Sequence, residues 1–367
     1  MRKEIARTAV PANIVNASMY EIPSAPRVAR SGICPVCDCT ASVPAFTSPD
    51  FLHGVPGEYT YVSCQQCHTV YQDPKIVVAD LSLCYPDAYF THSVPTQTSS
   101  APSLSSGWRH QLRNAILIHA DGAQGICESP VIRVAGRLLA AIGPMRRRAR
   151  FGLMDALGRK QGESRCLDLG AGNGMTLRCL SRLGWEATGV EIDQVAAEQA
   201  RRFSGCDVRA GALSDAGFRS GVFHMIHVSH VIEHLPDLKQ TLELCFDLLA
   251  PGGRLVLIYP NPNSLLARRI HKFAVTWDPP RHLVIPPSDS LVSLLRRIRF
   301  DRVRSETSAR FAVPYRAVSR RYVRGIAARG FEAKAQMSDH LFKLFETLCV
   351  MAGFAVGEEV MIVAHKR

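Results

Sequence analysis

No stretch of about 20 consecutive apolar residues occurs in this 367-residue chain, so a membrane-spanning helix is not expected. The first residues, Met1 to Pro26, lack the apolar core of a secretory signal because charges and prolines break them. The most apolar late segment, Leu341 to Val356, is too short to span and carries Lys343 and Glu346. A soluble cytoplasmic protein is therefore expected. Acid is also in short supply: 32 Asp and Glu stand against 44 Lys and Arg, a net charge of +12. A basic excess attracts polyanions through long-range fields, yet here it is spread along the chain. Its one dense cluster, Arg146-Arg-Arg148 with Arg150, follows the apolar stretch Val134 to Ile142. Two readings stay open for it. One is a solvated helix end that needs no partner; the other is a site for an acidic or phosphorylated substrate, or for a membrane surface carrying a lipid-linked one. No internal repeat is present.

Cysteine is not scarce. Twelve cysteines in a cytoplasmic protein argue for metal rather than disulfides. Cys34-Pro-Val-Cys37 and Cys64-Gln-Gln-Cys67 are two C-x-x-C knuckles with 26 residues between them. Together they predict a closed tetrahedral zinc site in a small ribbon. Cys39 and His68 lie beside the knuckles but lack paired spacing, and the other cysteines read as small core residues.

The run Cys166-Leu-Asp168-Leu-Gly170-Ala-Gly172-Asn-Gly174 reads as a strand ending in a glycine-rich turn that opens a helix. Glycine is needed where backbone approaches a ligand closely at positive φ. Twenty-three residues past Asp168, Glu191 closes a second apolar strand, where a carboxylate would meet a ribose diol. A dinucleotide fold would want its third glycine at position 175, which is Met175. From there strands and helices alternate, as in a doubly wound parallel sheet. Strands are predicted at 165–169, 186–191, 206–210, 222–228 and 254–259. Helices are predicted at 175–183, 194–203, 237–249 and 289–298, the last capped by Ser288 with Leu291, Leu294 and Leu295 inward.

Several motifs in order resemble the class I S-adenosylmethionine (SAM)-dependent methyltransferases over roughly residues 160 to 365. They are the acidic-glycine loop 168–174, Gly189-Val-Glu191-Ile-Asp193, Val228-Ser-His-Val-Ile-Glu-His-Leu-Pro-Asp237, Leu249-Ala-Pro-Gly-Gly253, Tyr259-Pro-Asn-Pro-Asn263, Trp277-Asp-Pro-Pro-Arg-His-Leu283 and Gly357 to Lys366. The branch it is most similar to carries an amino-terminal zinc ribbon and a Tyr-Pro-x-x-Tyr element, here Tyr85 to Phe90. His224 departs from that pattern, standing where the family often has Asp. The resemblance implies an α/β fold, a doubly wound seven-stranded Rossmann-like methyltransferase sheet with its last strand antiparallel, formed by 302–308 and 357–365. A zinc ribbon and a helical cap would flank it. The expected division is a loose segment 1–30, ribbon 31–75, Tyr-rich element and linker 76–107, cap 108–160 and SAM-dependent methyltransferase domain 161–367.

The cofactor residues implied are Asp168, Gly170, Gly172, Gly174, Glu191 and Ser229. Methyl transfer to a hydroxyl or carbon acid needs a base, for which His230, Glu233, His234 and His282 are candidates. His230 and His234 would share a face if a helical turn follows the fourth strand, and Glu233 would orient His234. Ubiquinone-pathway O-methyltransferases have a similar Ser-Glu-x-x-Glu-His pattern that can hold magnesium. His230 replaces its first Glu, which argues against that metal. Tyr85 and Tyr89 would line an acceptor pocket or pack the ribbon on the core. The expected acceptor is a small molecule of sugar, nucleotide-sugar or glycan type with an O or C nucleophile. Rival readings are a ribosomal RNA base methyltransferase, disfavoured by the absence of an Asn-Pro-Pro-[Tyr/Phe] motif, and a non-catalytic SAM- and zinc-binding interaction protein.

Overall fold

Buried parallel strands alternating with capped helices build the larger layer of the molecule, and a small antiparallel sheet sits against it. The structure is a computed structural model that describes residues 25–85, 108–121, 129–143, 145, 164–182, 184–326 and 333–367. In chain order the strands are β1 (Val28–Ala29), β2 (Ser42–Ser48), β3 (Tyr59–Cys64), β4 (Val70–Gln72), β5 (Lys75–Ile76), β6 (Arg165–Leu169) and β7 (Glu186–Glu191). They continue as β8 (Asp207–Ala210), β9 (Phe223–Ser229), β10 (Leu249–Pro260), β11 (Val284–Ile285), β12 (Asp301–Ser308) and β13 (Glu359–His365). The α-helices are α1 (Trp108–Asp121), α2 (Pro130–Ala140), α3 (Met175–Arg182), α4 (Gln194–Ser204), α5 (Leu238–Leu248), α6 (Leu265–Ile270), α7 (Ser288–Arg297), α8 (Ala312–Val323) and α9 (Met337–Met351).

The large sheet has seven strands in the order β12-β13-β10-β9-β6-β7-β8. β6, β7, β8, β9 and β10 run parallel, while β13 is antiparallel to both β10 and β12. This is the Rossmann-like methyltransferase sheet. Strands covered on both faces read as continuous apolar runs, and β6 is buried from Cys166 to Leu169. The helices stop and start on local chemistry. Asp193 Oδ1 accepts from Ala196 N at 2.6 Å to cap α4, which ends on left-handed Gly205, and Asp237 caps α5 through Gln240 N.

Predicted elements fall within a few residues of these bounds, except that β10 begins five residues earlier than position 254, at Leu249. One detail is corrected. Ser288 is the first residue of α7 and does not cap it; Pro287 holds that position with no side-chain bond. Leu291, Leu294 and Leu295 are fully buried as expected.

The small sheet has the order β11-β4-β3-β2, so its fourth strand comes from the far side of the chain. Val284 pairs with Tyr71 and Ile285 with Val70. α7 also reaches back to this sheet: Ser290 Oγ donates to the Cys67 carbonyl and Arg297 to that of Val36. Tyr89 and the rest of the segment from 86 to 107 lie outside the described residues, as does most of 144–163.

Candidate functional site

The carboxyl ends of β6, β7, β9 and β10 form one edge of the large sheet, the place where open α/β sheets bind ligands. Gly170 (φ 77°) and Gly174 (φ 79°) are left-handed, and both are tightly enclosed. A Cβ on Gly170 would come within 2.2 Å of Val231 Cγ2, and one on Gly174 within 2.8 Å of the Ala200 carbonyl. Larger residues therefore cannot make this turn. Glu191 lies across it: Oε2 accepts from Gly172 N at 2.8 Å and Oε1 from Asp193 N at 3.2 Å. Burial raises the pKa of Glu191, and those N–H bonds oppose the rise.

Asp168, expected at the cofactor amine, lies near the end of its strand beside a histidine. It is 2% exposed, and its Oδ1 lies 2.7 Å from Nδ1 of His227, its lateral neighbour in the sheet register. Burial raises its pKa against the pull of His227. One oxygen is thus committed within the sheet. His227 went unnoticed in the sequence because it sits inside an apolar strand, where it reads as core.

Beyond β9 the chain turns sharply at His230 (φ 54°) into a short 3-10 turn, Ile232–His234. A three-residue turn does not stack residues four apart, and the two histidines find separate partners. His230 Nε2 is 3.0 Å from Glu359 Oε1 and its Nδ1 is 3.4 Å from Glu233 Oε1. Burial opposes charge on this ring, but the bonds and charges of Glu233 and Glu359 outweigh it and raise its pKa to about 9. The two carboxylates thus favour the cationic form of His230, which lacks a lone pair.

His234 Nδ1 faces the Arg281 carbonyl at 3.0 Å and the Tyr85 hydroxyl at 3.1 Å. A carbonyl only accepts, so Nδ1 carries the proton and Nε2 the lone pair. Burial, with the neighbouring His282, lowers the pKa of His234 to about 4. Orientation of His234 thus comes from the Arg281 carbonyl and Tyr85, in place of the expected Glu233. By the same argument His282, whose Nδ1 is 2.8 Å from the Thr276 carbonyl, presents Nε2 as its lone-pair nitrogen, 4.0 Å from Glu233 Oε1. The His234 and His282 rings meet edge to face at 4.8 Å. Glu233 is fully buried, and its contact with His230 Nδ1, at 3.4 Å, is a long one. Glu233, His234 and His282 each offer one ligand atom within 4.8 Å of the others, a donor set whose chemistry suits proton transfer or a metal ion.

This cluster is tied to the small sheet. The Arg281 guanidinium, 1% exposed, bonds both oxygens of Asp50 at 2.8 Å and both of Asp278 at 2.7 and 2.9 Å, and reaches the Cys84 carbonyl. Burial disfavours the charge on Asp278, yet Arg281 holds its pKa down to about 2. Tyr61 donates to the His282 carbonyl at 2.8 Å, and Leu283 N donates to that of Glu233 at 2.6 Å. Asp50 and Arg281 carried no recognisable spacing, since 231 residues separate them.

In the small sheet the two knuckles are near copies. Cys34 N bonds the Cys39 carbonyl and Cys64 N that of Thr69; the residues after each second cysteine, Asp38 and His68, are both left-handed. Cys34 and Cys67 Sγ are 3.5 Å apart, as are Cys37 and Cys64 Sγ, and all four lie within 4.8 Å of one another. A tetrahedron with metal–sulfur bonds of ~2.3 Å has edges of ~3.8 Å, so the donor set fits a zinc ion. Cys39 is outside it, its sulfur accepting from Ala41 N. Ser229 ends β9 half-buried, and Asn261 is a staple whose Nδ2 donates to the Gly357 and Ala355 carbonyls.

Residues 143–304 match the family model described as a methyltransferase domain. Among curated proteins, the chain is 33% identical over 114 residues to a ubiquinone biosynthesis O-methyltransferase of Psychrobacter arcticus, covering 27% of this chain and 43% of that protein. The like-named protein of Xanthomonas axonopodis pv. citri is 31% identical over 100 residues, 26% of this chain and 42% of its own length. The chain thus spans less than half of the length of these curated relatives. A solved SAM-dependent methyltransferase from Thermotoga maritima, titled a possible histamine N-methyltransferase, overlays with a TM-score of 0.41 at 19% identity, covering 59% of this chain and 89% of that one. The chain carries a class I SAM-dependent methyltransferase domain. No described helix is long and apolar enough to cross a membrane.

Proposed function

We propose that this protein transfers the methyl group of SAM to an O or C nucleophile of a small molecule, with a sugar, nucleotide sugar or glycan-type acceptor as the class. The observation that carries this reading is one sheet edge holding two kinds of machinery. On one side, Glu191 and a glycine turn that admits no side chain form a cradle; on the other, Glu233, His234 and His282 form a buried acid-base cluster. Curated relatives named O-methyltransferases support a hydroxyl nucleophile.

When bound, SAM supplies a sulfonium-activated methyl carbon. The residues that would hold it are Gly170, Gly172, Gly174, Glu191 and Ser229, with Asp168 fixing the floor of the loop through His227. His282 takes the acceptor proton at Nε2, and the Glu233 carboxylate stabilises the imidazolium that results. His234 stays neutral beside it, held by Tyr85, whose own hydroxyl burial keeps protonated. His230, whose cationic form is favoured by Glu233 and Glu359, orders these two carboxylates and does not serve as the base. A zinc ion on Cys34, Cys37, Cys64 and Cys67 would be structural, fixing the sheet from which β11 and the His282 loop are hung. Incubation of isotopically labelled SAM with fractionated cell extract tests the reading: label should enter the small-molecule fraction. Label in RNA, or binding of SAM with no transfer in any fraction, would replace it.

A further inference from the structure

The sheet edge continues past His230 to two cations that the proton-transfer cluster does not use. Glu359 opens β13, opposite Pro260 at the carboxyl end of β10 and Ser308 at that of β12. It is fully buried and its Oε1 is shared: His230 Nε2 lies 3.0 Å away, and Arg310 Nη2 donates to it at 3.1 Å. Arg310 stands two residues past β12 with its side chain 44% exposed and its guanidinium carbon 4.6 Å over the Phe311 ring. Phe311 in turn stacks on Tyr315 at 5.6 Å and meets the His230 ring edge to face at 6.0 Å. An aromatic face and a carboxylate at one nitrogen thus hold the plane of the guanidinium, while Nε and Nη1 have no acceptor among the described residues. Lys343 of α9 is the second cation, its Nζ donating to the Arg310 carbonyl at 3.3 Å. Glu346, less than one turn along α9 from Lys343, is fully buried, and burial raises its pKa to about 10. The acids of this corner therefore lie inside the protein, and the two fixed cations lie at its surface.

Satisfying Glu359 Oε1 takes one donor, and the His230 ring already faces it. A guanidinium fixed in plane, half exposed and with donors to spare, suits the oxygens of an oxyanion, which accept charge-assisted hydrogen bonds. A neutral hydroxyl would leave its charge unmatched. The contacts that lead from Arg310 through Glu359, His230 and Glu233 to His282 Nε2 are each between 3.0 and 4.0 Å, so one molecule of modest size reaches both ends. We propose that the methyl acceptor carries an oxyanion, phosphate or carboxylate, and that Arg310 binds it with Lys343 as the second cation. This rests on the proposed function and narrows its acceptor class to acidic sugars and sugar phosphates, nucleotide sugars included.

Chemical modification reads the site without turnover. The full chain with SAM present is treated with phenylglyoxal, which modifies accessible arginines, and labelling of Arg310 is followed by peptide mass spectrometry. Inorganic phosphate or acetate should slow that labelling several-fold, whereas chloride at equal ionic strength and glucose should not. Equal protection by chloride, or none by either anion, overturns the proposal. The labelled product of the extract experiment gives a second arm: it should be retained by an anion exchanger at pH 8. Successive phosphodiesterase and phosphatase treatment should free it if the anion is phosphate and leave it bound if it is carboxylate. A labelled small molecule that passes through the exchanger overturns the proposal and leaves methyl transfer to a small molecule standing; label absent from every small molecule refutes that function itself. With the acceptor in hand, Arg310→Gln should raise its KM roughly 10- to 100-fold while kcat and SAM affinity stay near parental, and Arg310→Lys should recover part of the loss. A variant that melts lower but keeps the parental KM would make Arg310 a purely structural partner of Glu359 and overturn the proposal.

Discussion

Arg281 and Asp50 face each other through two parallel 2.8 Å hydrogen bonds, fully buried, across 231 residues of sequence. Asp50 also caps its own turn, accepting from the backbone of Leu52, His53 and Val55. Position therefore passes from the small sheet, through one guanidinium, to the residue preceding His282. Replacement of Asp50 by Ala leaves a buried cation half compensated and three N–H groups without an acceptor. The expected loss is about 3–5 kcal/mol of unfolding free energy, read by denaturant titration. A variant within ~1 kcal/mol of the parent would show that Asp278 alone satisfies Arg281.

Zinc content is the second expectation. One equivalent per chain should be present by elemental analysis and should disappear in Cys37→Ser and Cys64→Ser. Retention of zinc in both variants would refute the four-thiolate assignment. The same measurement bears on Glu233, His234 and His282: a second equivalent of any metal, absent from His282→Asn, would make that cluster a metal centre and not a base.

Glu191→Ala should weaken SAM binding by about 1.5–3 kcal/mol, the scale of hydrogen bonds to a charged group, as read by calorimetry. The loss includes the support that Glu191 gives to Gly172. Parental affinity would move the cofactor away from the β7 end.

For the proton, His282→Asn should lower turnover ~10²–10⁴-fold while SAM affinity stays near parental. His230→Asn is expected to act through stability instead. If His230→Asn abolishes turnover in a fully folded variant and His282→Asn does not, the roles are reversed.

His230 also makes a pH prediction with a definite sign. Its folded pKa, about 9, is raised above the ordinary 6.5, so its pairing with Glu233 and Glu359 stabilises the fold fully below pH 6.5. That contribution is lost as pH rises through about 9. Melting temperature of the parent should fall toward that of His230→Gln between neutral pH and pH 10. Parallel curves for the two proteins would contradict the ion-pair description.

Much of the large sheet was legible because buried parallel strands and capped helices write themselves locally: Leu255 to Tyr259 is an apolar run, and Asp193 and Gly205 punctuate α4. The knuckles were legible for the same reason, since C-x-x-C is a short-range constraint. Side-chain partnerships were not. His227 against Asp168, Glu359 against His230 and Asp50 against Arg281 join residues far apart in sequence, and nothing within a window of ten residues encodes such pairs. His230 illustrates this: its place at a strand tip was legible, while its carboxylate neighbour Glu359, 129 residues away, was not.

The edge of the small sheet is closed by Val284 and Ile285, a strand encoded far downstream of the three it completes. For the gene, this means that the small sheet is not a detachable cassette. A fragment beginning at Trp108 would carry a strand with no neighbour and a buried arginine missing one of its two carboxylates; the complementary fragment would expose the β4 edge. Recombination that swapped one part between relatives would have to carry the 278–285 loop along with residues 42–72. The two units are therefore expected to be inherited, and to vary, as one.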